Sequence, residues 1–180
     1  PDDLENPPEL SPEDVWILAE FAHTLTTVHM AWSDIDIYNA AQSIKSFSTG
    51  IFPSHWLEMS KSRLYGGDGS ATWTLHRVVR DILSAFTPIC PFFTHYLSTT
   101  LYSQSSVDIR EFPKIPDSCG VSEFDGFREL TAELTEFNSN VWKAKKDLGI
   151  SLKSEIDGIS VPINLAVFEQ ALREMHNLVQ

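Results

Sequence analysis

The chain has 180 residues and only two cysteines, Cys90 and Cys119, far apart and outside any CxxC spacing. Neither a zinc site nor a disulfide framework follows from them, and a reducing, cytoplasmic home is expected. No apolar run approaches the roughly 18 residues that span a bilayer, and no basic segment leads into an apolar stretch as a signal peptide requires. A soluble protein without membrane contact is expected. Positive charge is scarce as well: 13 Lys and Arg face 25 Asp and Glu, for a formal net charge of −12. The first 44 residues hold nine of those acids and no Lys or Arg at all. This excludes the broad basic field of a free-standing nucleic-acid module, so DNA is not an expected partner and any RNA contact has to be local. No GxSxG elbow and no glycine-rich phosphate turn is present, which argues against hydrolytic or nucleotide chemistry.

What the chain does contain is helical patterning, with 42% hydrophobic residues to build a core. The opening Pro1-Asp2-Asp3, without an initiator methionine, suggests a start inside a longer polypeptide, with residues 1–10 as a polar leader. Ser11-Pro12-Glu13-Asp14 is a helix start, with proline at the first helical position and acids in the first turn. Behind it Trp16, Ile17, Phe21, Leu25, Val28 and Trp32 recur at three- and four-residue steps to about Ser33. Asp34 can cap a second helix carrying Ile37, Tyr38, Ala41, Ile44 and Phe47, which resumes at Trp56, Leu57 and Met59; Gly50 and Pro53 predict a kink or short break between. After the Gly66–Ser70 loop a third helix carries Trp73, Val78, Ile82 and Phe86, and a fourth, opened by Pro91, carries Phe92, Phe93, Tyr96, Leu97 and Leu101. Periodicity lapses over 103–121, where Pro113 and Pro116 mark an extended connection and a domain boundary. Phe127, Leu130, Leu134, Phe137, Val141 and Leu148 then predict one long helix, about 40 Å from 123 to 148 at about 1.5 Å per residue, ended by Gly149. A short β-like run over 156–161 and a last helix with Leu165, Phe168, Leu172, Met175 and Leu178 complete the chain.

Met59-Ser60-Lys61-Ser62 matches most of the KMSKS signature with which class I aminoacyl-tRNA synthetases hold ATP. Glu58 stands where the first lysine should, no strand precedes it, and no HIGH-type element accompanies it, so the match is weak support for a nucleotide site. Neither a catalytic residue nor a cofactor is expected in these residues. His23, His29, His55, His76, His95 and His176 show no metal-ligand spacing. The remaining signal is local: Lys143, Lys145, Lys146 and Lys153 fall within eleven residues opposed only by Asp147. Trp142 lies one turn from Lys146 on the same side. Ammonium groups attract phosphate and an indole can stack on an unpaired base, which suits a single-stranded RNA loop. A solvated helix end, with lysines favoured by the helix dipole, explains the same letters. Lys61 and Arg63 beside Tyr65 carry the same two readings.

NPPELSPEDVWIL at 6–18, AWSDIDIYNAAQSIKSF at 31–47, HWLEMSKSRLY at 55–65, TPICPFFTHYLSTTLY at 87–102, SSVDIREFP at 105–113 and FNSNVWKAKKDLGISLKSEI at 137–156 closely resemble the anticodon-binding region of archaeal-type valyl-tRNA synthetase. The resemblance covers nearly the whole chain. It implies a mainly α fold, with an anticodon-binding helical bundle of the class I synthetase type over 11–102 and a small α/β appendage with a long helix over 122–180. It implies a module that holds the anticodon arm of tRNA-Val, without catalytic activity of its own. The parent valine–tRNA ligase would use ATP and Mg²⁺ to activate valine, through an upstream catalytic domain of the same chain. Candidate contacts to the RNA backbone are Lys61, Arg63, Lys143, Lys145, Lys146 and Lys153, with Trp56 and Trp142 as stacking partners. The rival readings are the same module of an isoleucine–tRNA ligase and an acidic helical protein-interaction scaffold.

Overall fold

In the computed structural model, which describes residues 3–102, 111–115, 119 and 125–179, helix α1 (Pro12–Ser33) begins where the Ser-Pro-acid signal places it. Ser11 is extended, and its carbonyl accepts from the N–H groups of Asp14 and Val15 at 2.9 and 3.0 Å. From Glu13 to Ala19 every side chain is buried, which makes the start of α1 the axis of the fold rather than a surface helix. A one-residue left-handed turn at Ile35 (φ 59°) reverses the chain; Asp34, expected to cap the second helix, instead closes α1, and Asp36 caps α2 (Ile37–Ser46) by accepting from Asn39 N–H at 3.0 Å.

The break expected at Gly50 and Pro53 does not occur. α2 passes without interruption into a π-helical stretch (Phe47–Trp56) and then into α3 (Leu57–Tyr65). The wider turn accommodates a proline whose missing N–H and ring would obstruct an α-helical one. It also brings Phe47, Phe52 and Trp56, spaced by five and four, onto one face. Their rings stack with Phe21 as a ladder, with successive centroids 4.7, 5.8 and 5.2 Å apart.

Gly67 (φ 76°) turns the chain, and Asp68 caps α4 (Gly69–Phe86) through Ala71 N–H at 2.8 Å. α5 (Pro91–Tyr102) packs on α4 but buries only Thr94 and Ser98 fully; Phe92, Phe93, Tyr96 and Leu101, predicted from spacing alone as a helical stripe, face outward, Phe92 with 91% of its surface exposed. Arg77, buried on α4, donates to the carbonyls of Leu4 and Lys114 and ties residues 4 and 114 to the same helix. Most of the 103–121 connection lies outside the described residues.

The predicted long helix is divided at Leu130 into α6 (Asp125–Glu129) and α7 (Thr131–Asp147). Gly149 (φ 68°) ends α7 as expected: Gly149 N–H and Ile150 N–H donate back to the carbonyls of Lys146 and Lys145, both at 3.0 Å. A 3₁₀ turn (Ile163–Phe168) leads into α8 (Glu169–His176). Among the described residues the β-like run contributes no strand, only one parallel bridge between Ile156 and Leu178, so this part is helical rather than α/β. α6 packs on α1 and α8 on α3, and one contiguous core holds Trp16, Phe21, Ile44 and Trp56 together with Leu134, Val141, Phe168 and Leu172. No helix of the described residues is long and apolar enough to cross a membrane.

Candidate nucleic-acid interface

Asp14, fully buried in the first turn of α1, organises the centre of the molecule. Its Oδ1 accepts from Trp56 Nε1 at 2.9 Å and Arg63 Nη1 at 3.3 Å, and its Oδ2 from Arg63 Nη2 at 2.6 Å and Ser70 Oγ. Arg63 also donates to Glu13, Ser11 and Asp68 at 2.7, 2.9 and 2.8 Å. Three carboxylates around one guanidinium hold Arg63 firmly protonated, although burial opposes this. Burial pushes the Glu13 carboxyl up, whereas the Ala71 N–H bond holds Asp68 down. Two of the residues predicted to touch RNA are therefore occupied inside. Trp56 is fully buried in the ring ladder with no face for a base, and both terminal nitrogens of Arg63 are committed to carboxylates and a hydroxyl of the same chain. Sequence spacing could not distinguish these structural roles from surface ones.

Lys61 lies in α3, so the KMSKS-like letters are helical, with Met59 and Ser60 buried. Its ammonium pairs with Glu58 at 2.5 Å on an exposed face. The α7 group is different. Lys143 and Lys146 are exposed, as is Lys153 beyond the Gly149 turn, and none has an ion-pair partner among the described residues. Trp142 is half-buried, held between the rings of His55 (5.6 Å) and His176 (5.9 Å). Lys145, predicted to join the group, is instead fully buried and turned inward.

Sequence reasoning missed the polar chain behind Trp142. His176 Nε2 lies 2.7 Å from Asn138 Oδ1, and Asn138 Nδ2 lies 2.9 Å from His55 Nδ1. With the amide so placed, His176 donates to Asn138 and Asn138 donates to His55. Both imidazoles then stay neutral: burial lowers His55, and burial with the Lys145 charge lowers His176 to about 4. Only the positions of the two histidines and the asparagine, on three separate elements, hinted at it. What results is a fixed indole edge with three open ammonium groups along and just beyond its helix. That edge can attract a polyanion and offer one partly exposed ring. Among the described residues no group of three or more His, Cys, Asp or Glu could hold a metal ion.

The model of the anticodon-binding domain of tRNA ligases matches residues 14–161. The chain is 30% identical over 154 residues to the valine–tRNA ligase of Saccharolobus solfataricus, covering 85% of this chain and 18% of that protein. It is 29% identical over 180 residues to that of Pyrobaculum aerophilum, covering 95% and 22%. With that of Haloarcula marismortui it shares 29% identity over 178 residues, covering 98% and 19%. The chain thus spans about a fifth of the length of these curated relatives.

Proposed function

The chain belongs to the family of anticodon-binding domains of tRNA ligases, and from that membership we propose that it holds the anticodon arm of tRNA-Val for a valine–tRNA ligase. The observation that carries the site is the open edge of Lys143, Lys146 and Lys153 around Trp142 on an otherwise acidic body. In this reading the ammonium groups hold the phosphate backbone of the splayed loop and the exposed part of the indole supports an unstacked base. Lys61, engaged by Glu58, contributes from a separate helix only by exchanging partners. Residues 11–102 act as the bundle and 122–180 as the appendage that presents the edge. Valine activation with ATP and Mg²⁺ belongs to a catalytic domain elsewhere in the parent enzyme, which works in the cytoplasm. The valine–tRNA ligase names of the relatives support valine over isoleucine, and family membership supports RNA over a protein scaffold.

Titration of the chain with a valine tRNA anticodon stem-loop tests this. Three phosphate contacts predict a slope of log K against log salt of about −2, at about 0.7 per single-strand contact. Lys143→Glu with Lys146→Glu removes the binding. A changed middle base weakens it, and equal affinity for the two loops would deny base reading by the chain.

A further inference from the structure

Lys145 is flanked in sequence by exposed Lys143 and exposed Lys146, yet its own side chain has 0% of its surface open to solvent. An ammonium has three N–H donors. All are used: on the carbonyls of Leu152 and Ser154 at 2.8 Å each, and on the carbonyl of His176 at 2.5 Å. Taking a charge out of water is costly, and an apolar side chain of similar volume would fill the space without that cost. What an apolar side chain cannot do is gather three carbonyls from two segments at one point.

The segment it gathers has little else to fix it. Between Gly149 and Glu155, Leu152 and Lys153 are exposed, and Ile150 is only half-buried. Among the described residues its other ties are the bonds that close α7, the turn bond from Ser154 N–H to Ser151 O at 2.9 Å, the local bond from Lys153 N–H to Ser151 Oγ at 3.2 Å, and Asn177 Nδ2 to Lys153 O at 3.3 Å. Two of the Lys145 acceptors, Leu152 and Ser154, bracket Lys153 on either side. The third is the carbonyl of His176, whose ring packs on Trp142. One buried ammonium thus connects the backbone on both sides of one exposed lysine with the residue that supports the indole.

We propose that Lys145 is a positioning residue for RNA: by joining the Leu152, Ser154 and His176 carbonyls it holds Lys153 in register with Lys143, Lys146 and Trp142, so that one phosphate backbone meets all of them. This rests on the RNA reading above.

The test follows the salt slope of anticodon stem-loop binding in the full chain, for Lys153→Ala, Lys145→Met and the double variant. Lys153→Ala should lower the slope by about 0.7, which is about fivefold in affinity over a tenfold salt range. Lys145→Met should produce the same loss although its charge never reaches RNA, and the double variant should lose no more than either alone. If Lys145→Met leaves the slope intact, or if Lys153→Ala still removes its full share in that background, the positioning role is overturned. Should Lys145→Met lose its helical circular dichroism, Lys145→Gln, which keeps two donors, is judged by the same slopes. Unfolding of both would make Lys145 a fold determinant and overturn the role. Unchanged affinity in Lys143→Glu with Lys146→Glu would refute the RNA reading itself, whatever Lys145 does; absence of binding by the unaltered chain would overturn both.

Discussion

Lowering the pH from 7 to 4 should remove about 3 kcal/mol of stability through His176 alone. The ring is 1% exposed, donates to Asn138, lies against Phe137 and Trp142, and has the Lys145 ammonium on its own carbonyl. Its folded pKa is pushed down to about 4, while an unfolded histidine titrates near 6.5. Between these values the unfolded chain takes a proton that the folded one refuses. The stabilisation is therefore complete above about pH 6.5 and is lost as pH falls toward 4. A separation of about 2.5 in pKa at about 1.4 kcal/mol each gives about 3.5 kcal/mol in full, of which about 3 kcal/mol is lost by pH 4, a large part of a typical total of roughly 5–15 kcal/mol. His55, also lowered, adds in the same direction. Urea unfolding from pH 7.5 to 4 of the unaltered chain and of His176→Gln isolates the effect, because carboxylates titrate alike in both. The variant should be less stable at pH 7 and converge on the unaltered chain in acid. Parallel stability curves would refute the reasoning.

Asp14→Asn should cost about 3–5 kcal/mol, since it leaves the Arg63 guanidinium partly uncompensated in a buried site; a loss below about 1 kcal/mol in denaturant unfolding would show the network to be incidental. Ile35→Gly should gain about 1 kcal/mol, because a β-branched residue at φ 59° with 81% of its surface exposed forfeits backbone energy without packing in return. An unchanged or lowered melting temperature for that variant would count against strain at the turn.

The start at Ser11-Pro12 and the stop at Gly149 were legible because each depends on chemistry within one or two turns of its own sequence, whereas the caps of α2 and α4 fall to Asp36 and Asp68, which compete with other Asp, Ser and Thr residues a few positions away. The anticodon-binding family was legible from the quoted motifs. What spacing could not convey was the direction of a side chain relative to distant elements. Lys145 and Lys146 look alike as letters, and only α8 and the 149–155 segment bury one of them. Trp56 and Arg63 look like surface partners until α1 supplies Asp14. The α5 stripe failed for the complementary reason: periodicity marks an apolar face but not whether anything in the chain covers it. At Pro53 the sequence marked the irregularity but not its form, because a helix can swell instead of breaking.

The described arginines, Arg63, Arg77, Arg80, Arg128 and Arg173, all face carboxylates. Planar forks, the groups best suited to grasping a nucleobase by two atoms at once, are thus turned toward carboxylates of the same chain, Arg63 and Arg77 in the interior and Arg173 on the surface. Among the described residues the open cations of the α7 edge are lysines, round, swivelling charges that attract a phosphate without distinguishing one base from another. If the edge meets RNA as proposed, the described lysines bring the text within reach, and spelling it out falls to other groups, such as rings, amides and main-chain atoms.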